Sequence, residues 1–260
     1  MSPFAIPQEL VKRLRVARHV TVLTGAGISA ESGLPTFRDA MTGLWSRYRP
    51  EELATAQAFQ RNPRLVWEWY AWRRGLAAQA APNPGHLALA ELERRVPQLT
   101  LITQNVDDLH QRAGSTKVIE LHGNISRVKC FDEHVVVENW ADTEDVPPRC
   151  PGCRGLLRPD VVWFGEMLPE QALNEATEAA VACDLFFSIG TSGIVEPAAS
   201  LPYIALRSGA AVVVINLDVV NQSSPRLYKI HGPAGQVLPT LLQATWPKDE
   251  DRQDVDGYQP

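Results

Sequence analysis

Cysteine is scarce in this chain, four residues in 260, which is too few for a disulfide framework in so large a protein. Long apolar stretches are also missing. The longest, such as residues 210–215, have the length of a strand, which argues against a membrane-spanning helix. The N-terminal region has neither the apolar block nor the small-residue cleavage site of a secretory signal, so a cytoplasmic location is expected. Its basic residues Lys12, Arg13, Arg15 and Arg18 share a helical period with Leu10, Leu14 and Ala17 and read as the surface of a first helix rather than a transit peptide. Nor is there a surplus of positive charge. Thirty acidic residues against 25 basic ones give a net charge of −5, which argues against nucleic acid or an anionic membrane as partner. What remains, 45% hydrophobic and 21% charged, is the composition of a folded globular chain, with a monomer as the default expectation.

The apolar runs are ordered. His19–Thr24 is β-branched and leads into Gly25-Ala-Gly27, followed by small residues able to start a helix. Similar runs at residues 99–103, Leu185–Ile189 and 211–217 are separated by helix-compatible stretches such as residues 169–182. Strands alternating with helices predict an α/β fold with a Rossmann-like parallel sheet covered on both faces. Two spans do not fit a simple crossover. Residues 41–84, with the aromatic segment Val66-Trp-Glu-Trp-Tyr-Ala-Trp72, are expected to form a helical insertion. Residues 125–157, with three of the cysteines and several prolines, have too few apolar residues for a core and read as a small metal-binding module. The expected division is a nucleotide-binding domain at 1–40, 85–124 and 158–246, a small domain from the two insertions, and a mobile polar tail at 247–260.

Gly25-Ala-Gly27-Ile-Ser-Ala30 fits the glycine fingerprint of dinucleotide sites, where glycines allow the tight turn and the close approach of a pyrophosphate to a helix N-terminus. A turn that merely needs glycine would look the same. The acidic residue that would bind the ribose about 20 positions later in a dehydrogenase is absent; Leu44-Trp-Ser-Arg-Tyr-Arg49 stands there instead. Hydride transfer on that plan is disfavoured.

Taken together, Gly25-Ala-Gly-Ile-Ser-Ala-Glu-Ser-Gly-Leu-Pro-Thr-Phe-Arg38, Thr103-Gln-Asn-Val-Asp-Asp-Leu-His110, Glu120-Leu-His-Gly123, Arg158-Pro-Asp-Val-Val-Trp-Phe-Gly-Glu166, Ile189-Gly-Thr-Ser192 and Ile215-Asn216 resemble the sirtuins, NAD-dependent protein lysine deacylases. The matches keep the family's order from about residue 20 to about residue 240. The resemblance implies that NAD is consumed as a co-substrate. Gly25, Ala26, Gly27 and Ser29 would cradle its phosphates, Phe37 and Arg38 would cover the nicotinamide ribose, Gln104, Asn105 and Asp107 would hold the nicotinamide end, and Gly190, Thr191, Ser192 and Asn216 the adenosine half. His122 would be the general base, with Asn105 as its catalytic partner. In the implied reaction the acyl-lysine carbonyl oxygen attacks the ribose C1′ and displaces nicotinamide. His122 then activates a ribose hydroxyl, and free lysine and O-acyl-ADP-ribose result. Phe164, Gly165 and Glu166, with Val195 and Glu196, resemble the segments that clamp a substrate peptide as an added strand.

Tyr70 and Arg73 stand three apart and would share one helix face. They match the Tyr-x-x-Arg pair of sirtuins that remove acidic acyl groups, as bacterial members do, which implies desuccinylase and demalonylase activity with weaker deacetylation. A guanidinium suits a terminal carboxylate. A packed helix face with Arg73 solvated would account for the same residues, and Arg74 is a rival for the carboxylate. A general deacetylase, a mono-ADP-ribosyltransferase and a non-catalytic NAD or ADP-ribose sensor remain as alternatives. The family's small module holds structural zinc through two cysteine pairs, but here only Cys150-Pro-Gly-Cys153 is intact. Cys130 lacks a second thiol. Either His134 completes a three-cysteine site or packing of Trp140 and the nearby prolines replaces the metal. Cys183 is expected to be a small buried residue of the main sheet.

Overall fold

The computed structural model describes residues 4–36, 48–140 and 145–247. Phe37, Arg38 and the expected tail beyond Pro247 lie outside them. The strands are β1 (His19–Thr24), β2 (Gln98–Thr103), β3 (Val118–Glu120), β4 (Gly123–Cys130), β5 (Leu157–Val161), β6 (Leu185–Ile189), β7 (Ala211–Asn216), β8 (Gln222–Ser223) and β9 (Leu227–His231). The helices are α1 (Gln8–Val16), α2 (Ala26–Ala30), α3 (Ala56–Arg61), α4 (Pro63–Gln79), α5 (Pro84–Arg95), α6 (Leu109–Arg112), α7 (Glu170–Ala182), α8 (Leu201–Arg207) and α9 (Ala234–Thr245). No helix among the described residues is long and apolar enough to cross a membrane.

Seven strands form the main sheet in the order β3-β2-β1-β6-β7-β9-β8, all parallel except the antiparallel edge strand β8. Alternate side chains of each strand feed opposite faces. On one face Val20, Val22, Leu101, Phe187 and Val213 meet Leu10 and Leu14 of α1, Leu89 and Leu92 of α5 and Leu238 and Leu241 of α9. On the other, Leu23, Ile102, Phe186 and Val212 meet Ala176 and Ala180 of α7 and Leu201 and Ala205 of α8, with Cys183 in the same cluster. The expected α/β sheet with helices on both faces is therefore present. From β1 the chain builds outward through β2 and β3, then returns to add β6, β7 and β9 on the other side, so the strand order reverses between β1 and β6. Such a reversal opens a crevice at the carboxyl ends of the strands.

The insertions pack on each other. β4 and β5 form an antiparallel pair. Phe59 of α3 and Val66, Trp69 and Tyr70 of α4 pack there with Ile125, Val161 and Trp163. Asn62 and Thr55 cap α4 and α3 by accepting the Leu65 and Ala58 N–H groups, side-chain caps of the kind that favour a helix start.

Candidate active site

At the head of the crevice two glycine loops touch backbone to backbone. The Gly27 N–H donates to the Gly190 carbonyl at 2.8 Å and Gly25 N–H to Ile189 at 3.0 Å. A Cβ on Gly27 would lie 2.7 Å from Gly190 Cα, and one on Gly190, whose φ is +60°, 2.5 Å from the Ile28 nitrogen. The glycines are thus required by the meeting of the loops after β1 and β6, in addition to any room they leave a pyrophosphate. Beyond them the loop after β7 is tied in: Asn216 Nδ2 donates to the Thr191 carbonyl at 2.9 Å, and Gln104 Nε2 to Thr191 Oγ1 at 3.1 Å. A cavity of about 230 Å³ opens between Gly27, Gly190, Asn216 and Leu217. Ala26 is the first residue of α2, and Ser192 lies exposed on the β6 loop.

Behind the loop after β1 lies a buried polar network. Ser29 Oγ accepts from Asn105 Nδ2 at 3.0 Å and lies 3.4 Å from His86 Nε2. His86 Nδ1 accepts the Asn83 N–H at 3.3 Å, so the proton of the neutral ring sits on Nε2 and points at Ser29. With two donors arriving, the Ser29 hydroxyl is left to donate to Asp107. That bond and the Leu109 N–H favour the carboxylate, although burial raises the Asp107 pKa overall. The His110 ring lies tilted against His86 with ring centroids 4.8 Å apart, and its Nε2 is 2.9 Å from Thr24 Oγ1. Burial lowers the His86 pKa to about 4 and, with His86 alongside, that of His110 to about 3. Both rings are neutral at pH 7. The sequence reading missed these two histidines; the signal available was Asn83-Pro-Gly-His86, a capping box at the start of α5.

His122 lies between β3 and β4. Its Nδ1 is 2.9 Å from the Gln104 carbonyl oxygen, which can only accept, so Nδ1 carries the proton and Nε2 keeps its lone pair. Burial lowers its pKa below the ordinary value, and the Gln104 carbonyl partly offsets this. The ring is therefore an unprotonated base at neutral pH, fixed by the same segment that supplies Asn105 and Asp107.

On α4, Tyr70 is buried edge-on to Trp69 with ring centroids 4.6 Å apart. Burial raises its pKa to about 12, so the phenol stays a neutral donor. The half-buried Arg73 guanidinium lies 5.0 Å from the Trp69 ring centroid and 5.9 Å from that of Tyr70. Burial lowers its pKa, while Tyr70 and Asp107 act in the opposite direction. Arg74 turns elsewhere, its Nε donating to the Ile125 carbonyl at 2.8 Å and its guanidinium lying 5.4 Å from the Trp67 ring centroid. Of the two arginines, Arg73 is the one gathered with Tyr70.

The segment that follows β5 is braced from within. The fully buried Arg158 grips the Glu166 carboxylate with both Nη atoms, Nη2 to Oε2 at 2.9 Å, and lies 3.3 Å from the Trp163 ring centroid. Glu166 also accepts the Trp163 N–H at 2.8 Å. The Glu166 charge is thus engaged inside the protein. Phe164 is exposed and Gly165 has a φ of +87°; in the loop after β6 Ile194 and Val195 are exposed, while Glu196 accepts from Ser200 Oγ at 2.8 Å.

Three thiols, those of Cys130, Cys150 and Cys153, lie within 4.8 Å of one another. Tetrahedral zinc with bonds of about 2.3 Å needs sulfurs about 3.8 Å apart, so the cluster fits that ion. His134 is not in the cluster. Val128, Leu157, Trp67 and Trp140 pack around it.

The sequence matches the Sir2 family over residues 25–197. It is 50% identical over 248 residues to NAD-dependent protein deacylase 1 of Pseudomonas aeruginosa, covering 92% of this chain and 98% of that one. A crystal structure of a Sir2 homologue–NAD complex superposes with a TM-score of 0.83 at 44% identity, covering 94% of this chain and 96% of the other. A mutant Sir2 homologue bound to 2′-O-acetyl ADP ribose gives 0.83 at 45% identity, over 92% and 96%. With the family matched over residues 25–197 and relatives this similar over nearly the whole length, the chain belongs to the Sir2 family.

Proposed function

We propose that this protein is an NAD-dependent protein lysine deacylase that prefers acidic acyl groups. The deacylase reading rests on the family and on one observation above others: a neutral His122 whose Nδ1 proton is held by the Gln104 carbonyl, leaving Nε2 as the base. NAD supplies an electrophilic ribose carbon, nicotinamide as leaving group and, in ADP-ribose, the acceptor of the acyl group. The residues that would hold it are Gly25, Ala26, Gly27 and Ser29 at the phosphates, Gln104, Asn105 and Asp107 at the nicotinamide end, and Gly190, Thr191, Ser192 and Asn216 at the adenosine end. The rigid support behind Asn105, through Ser29 and His86, favours one orientation of the nicotinamide ribose. His122 Nε2 takes the proton of a ribose hydroxyl as the acyl group is transferred. Peptide would lie between the Phe164–Glu166 turn and the exposed Ile194 and Val195, joined through main-chain hydrogen bonds.

The acidic preference rests on Tyr70 and Arg73. A half-buried guanidinium beside a neutral phenol can bind a succinyl or malonyl carboxylate with charge-assisted hydrogen bonds. Deacetylation uses the same base without that contact and would be slower. The test compares matched succinyl-, malonyl- and acetyl-lysine peptides with NAD, following free lysine peptide and O-acyl-ADP-ribose by mass spectrometry. Arg73→Met should reduce desuccinylation at least tenfold more than deacetylation. Equal losses would assign Arg73 to folding, and an acetyl preference of the unaltered enzyme would remove the acidic reading while keeping the deacylase.

A further inference from the structure

The segment that leaves β5 buries a donor with no acceptor. Trp163 is 2% exposed, and no acceptor among the described residues lies within hydrogen-bond reach of its indole N–H. The side chain packs in an apolar cluster with Phe59, Val66, Ile125 and Val161, where an unmet donor is unfavourable. The ring is held so that it cannot swing this donor out to water. One face carries the Arg158 guanidinium, 3.3 Å from the ring centroid, and the Phe59 ring centroid lies 5.3 Å away. The backbone is fixed as well, with the Trp163 N–H donating to Glu166 and the next N–H, that of Phe164, to the Ala54 carbonyl at 2.9 Å. Packing alone would be served by a ring without a donor, so the indole N–H calls for an account of its own.

The polar group beside that donor is the Tyr70 phenol. The two ring centroids are 6.3 Å apart and the planes inclined by 40°. Burial raises the Tyr70 pKa, and Arg73 and the Trp163 indole both oppose it. An indole can do so only as a donor, so its N–H faces the phenol oxygen without having closed on it. A phenol has lone pairs to accept with and one proton to give. Once the oxygen accepts from the indole, the proton is turned away from Trp163, and the Arg73 guanidinium lies 5.9 Å from the Tyr70 ring centroid. We infer that Trp163 is a positioning residue for acyl specificity: its indole N–H closes on the Tyr70 oxygen when an acidic acyl group is bound and so directs the phenol proton at the acyl carboxylate. This rests on the proposed acidic preference and adds what orients the phenol. Hydrogen bonds in such a chain polarise one another in the same sense. An acetyl group, with no terminal carboxylate, does not draw on it.

The test uses the full chain with NAD and matched succinyl- and acetyl-lysine peptides. Trp163→Phe removes the donor, and 3-benzothienylalanine in place of Trp163 removes it while keeping the shape of the indole, which keeps the test informative if the phenylalanine variant folds poorly. In both, KM for the succinyl peptide should rise by about fivefold, in the range of one hydrogen bond, with kcat and the acetyl kinetics little changed. In a Tyr70→Phe background the same replacements should add nothing, because the chain is already broken at the phenol. Equal losses with both peptides would make Trp163 a packing residue and overturn the inference. Succinyl losses that add to those of Tyr70→Phe would overturn it in favour of direct contact between indole and carboxylate. Unchanged succinyl kinetics without the donor, while Arg73→Met still loses desuccinylation, would overturn the inference and leave the acidic reading standing; an unaltered enzyme with no acidic preference would remove both.

Discussion

Gly27 and Gly190 meet with no space for a side chain on either, whereas the two cysteine-bearing turns, 130–135 and 150–155, keep the same hydrogen bonds whether the fourth position holds Cys153 or Glu133. Both regions use backbone geometry to gather functional groups. At the glycine loops the backbone itself is the contact surface, so any side chain collides. In the turns the backbone closes on itself and the side chain projects from a finished frame. A side chain can then change type without the frame changing, which accounts for one cysteine pair being broken while the turn keeps its shape. The difference is one of where the hydrogen bonds end, on another loop or within the same one.

The largest expected effect lies at the nucleotide end. His122→Tyr should leave a folded, NAD-binding protein whose turnover falls by about 10²–10⁴-fold, the usual contribution of a general base. Retention of full turnover would remove His122 from the chemistry. The acid limb of the rate profile should lie below pH 6.5, because burial lowers the His122 pKa and the base must be unprotonated to act.

Next in size is Arg158→Met. Arg158 belongs to the smaller sheet and is fully buried, more so than Gly27 and Gly190, so the effect separates burial from location. Removing one partner of a buried ion pair leaves Glu166 without its cation, at a cost of about 3–5 kcal/mol. Arg158→Met combined with Glu166→Leu should recover most of that stability in urea unfolding. If the single variant is as stable as the parent protein, the brace is not holding the turn.

Much of this was legible in the sequence, and what was missed has a common cause. The β-branched runs of β1, β6 and β7 declared themselves because a parallel strand buried on both faces has to be continuously apolar. The glycine motif and Glu120-Leu-His-Gly123 were legible because their chemistry needs fixed residue types at short spacing. β9 was not, being only Leu227–His231 with Lys229 in its middle, and β8 is two residues long. The pairing of His86 with His110 was missed because it joins α5 to α6, 24 positions apart in sequence, and the local signals, a capping box at His86 and a motif ending at His110, do not show that the rings meet. Arg158 lay in a recognised motif, but its partner was read as a group facing the peptide. The equivalence of the two turns was hidden because Cys130-Phe-Asp-Glu and Cys150-Pro-Gly-Cys share one residue; it resides in backbone hydrogen bonds.

A smaller effect should come from acid. The folded pKa values of His86 and His110, about 4 and about 3, lie below the ordinary 6.5 of an exposed imidazole. Below pH 6.5 the unfolded chain then binds more protons than the folded one, so stability present at higher pH is lost as pH falls. Each histidine should contribute a loss of about 2 kcal/mol between pH 8 and pH 5. Urea unfolding at the two values measures it. His86→Gln should flatten the dependence; an unchanged slope would place the acid sensitivity outside the network.

The smallest effect tests the opening contrast directly. Gly27→Ala adds one methyl group 2.7 Å from Gly190 Cα, where the neighbour is backbone and cannot rotate away. Overpacking of this kind costs about 1–3 kcal/mol, and it would push apart the loops that border the crevice. Gly33→Ala supplies the control: its φ of +80° makes alanine strained by about 1–2 kcal/mol, but no atom stands within 4 Å of the new methyl. The two variants should therefore be similar in thermal stability and differ in NAD affinity, with only Gly27→Ala weakened. Equal NAD affinity in both would mean that the loops after β1 and β6 can separate without disturbing the site, and that their close contact serves the fold rather than the nucleotide.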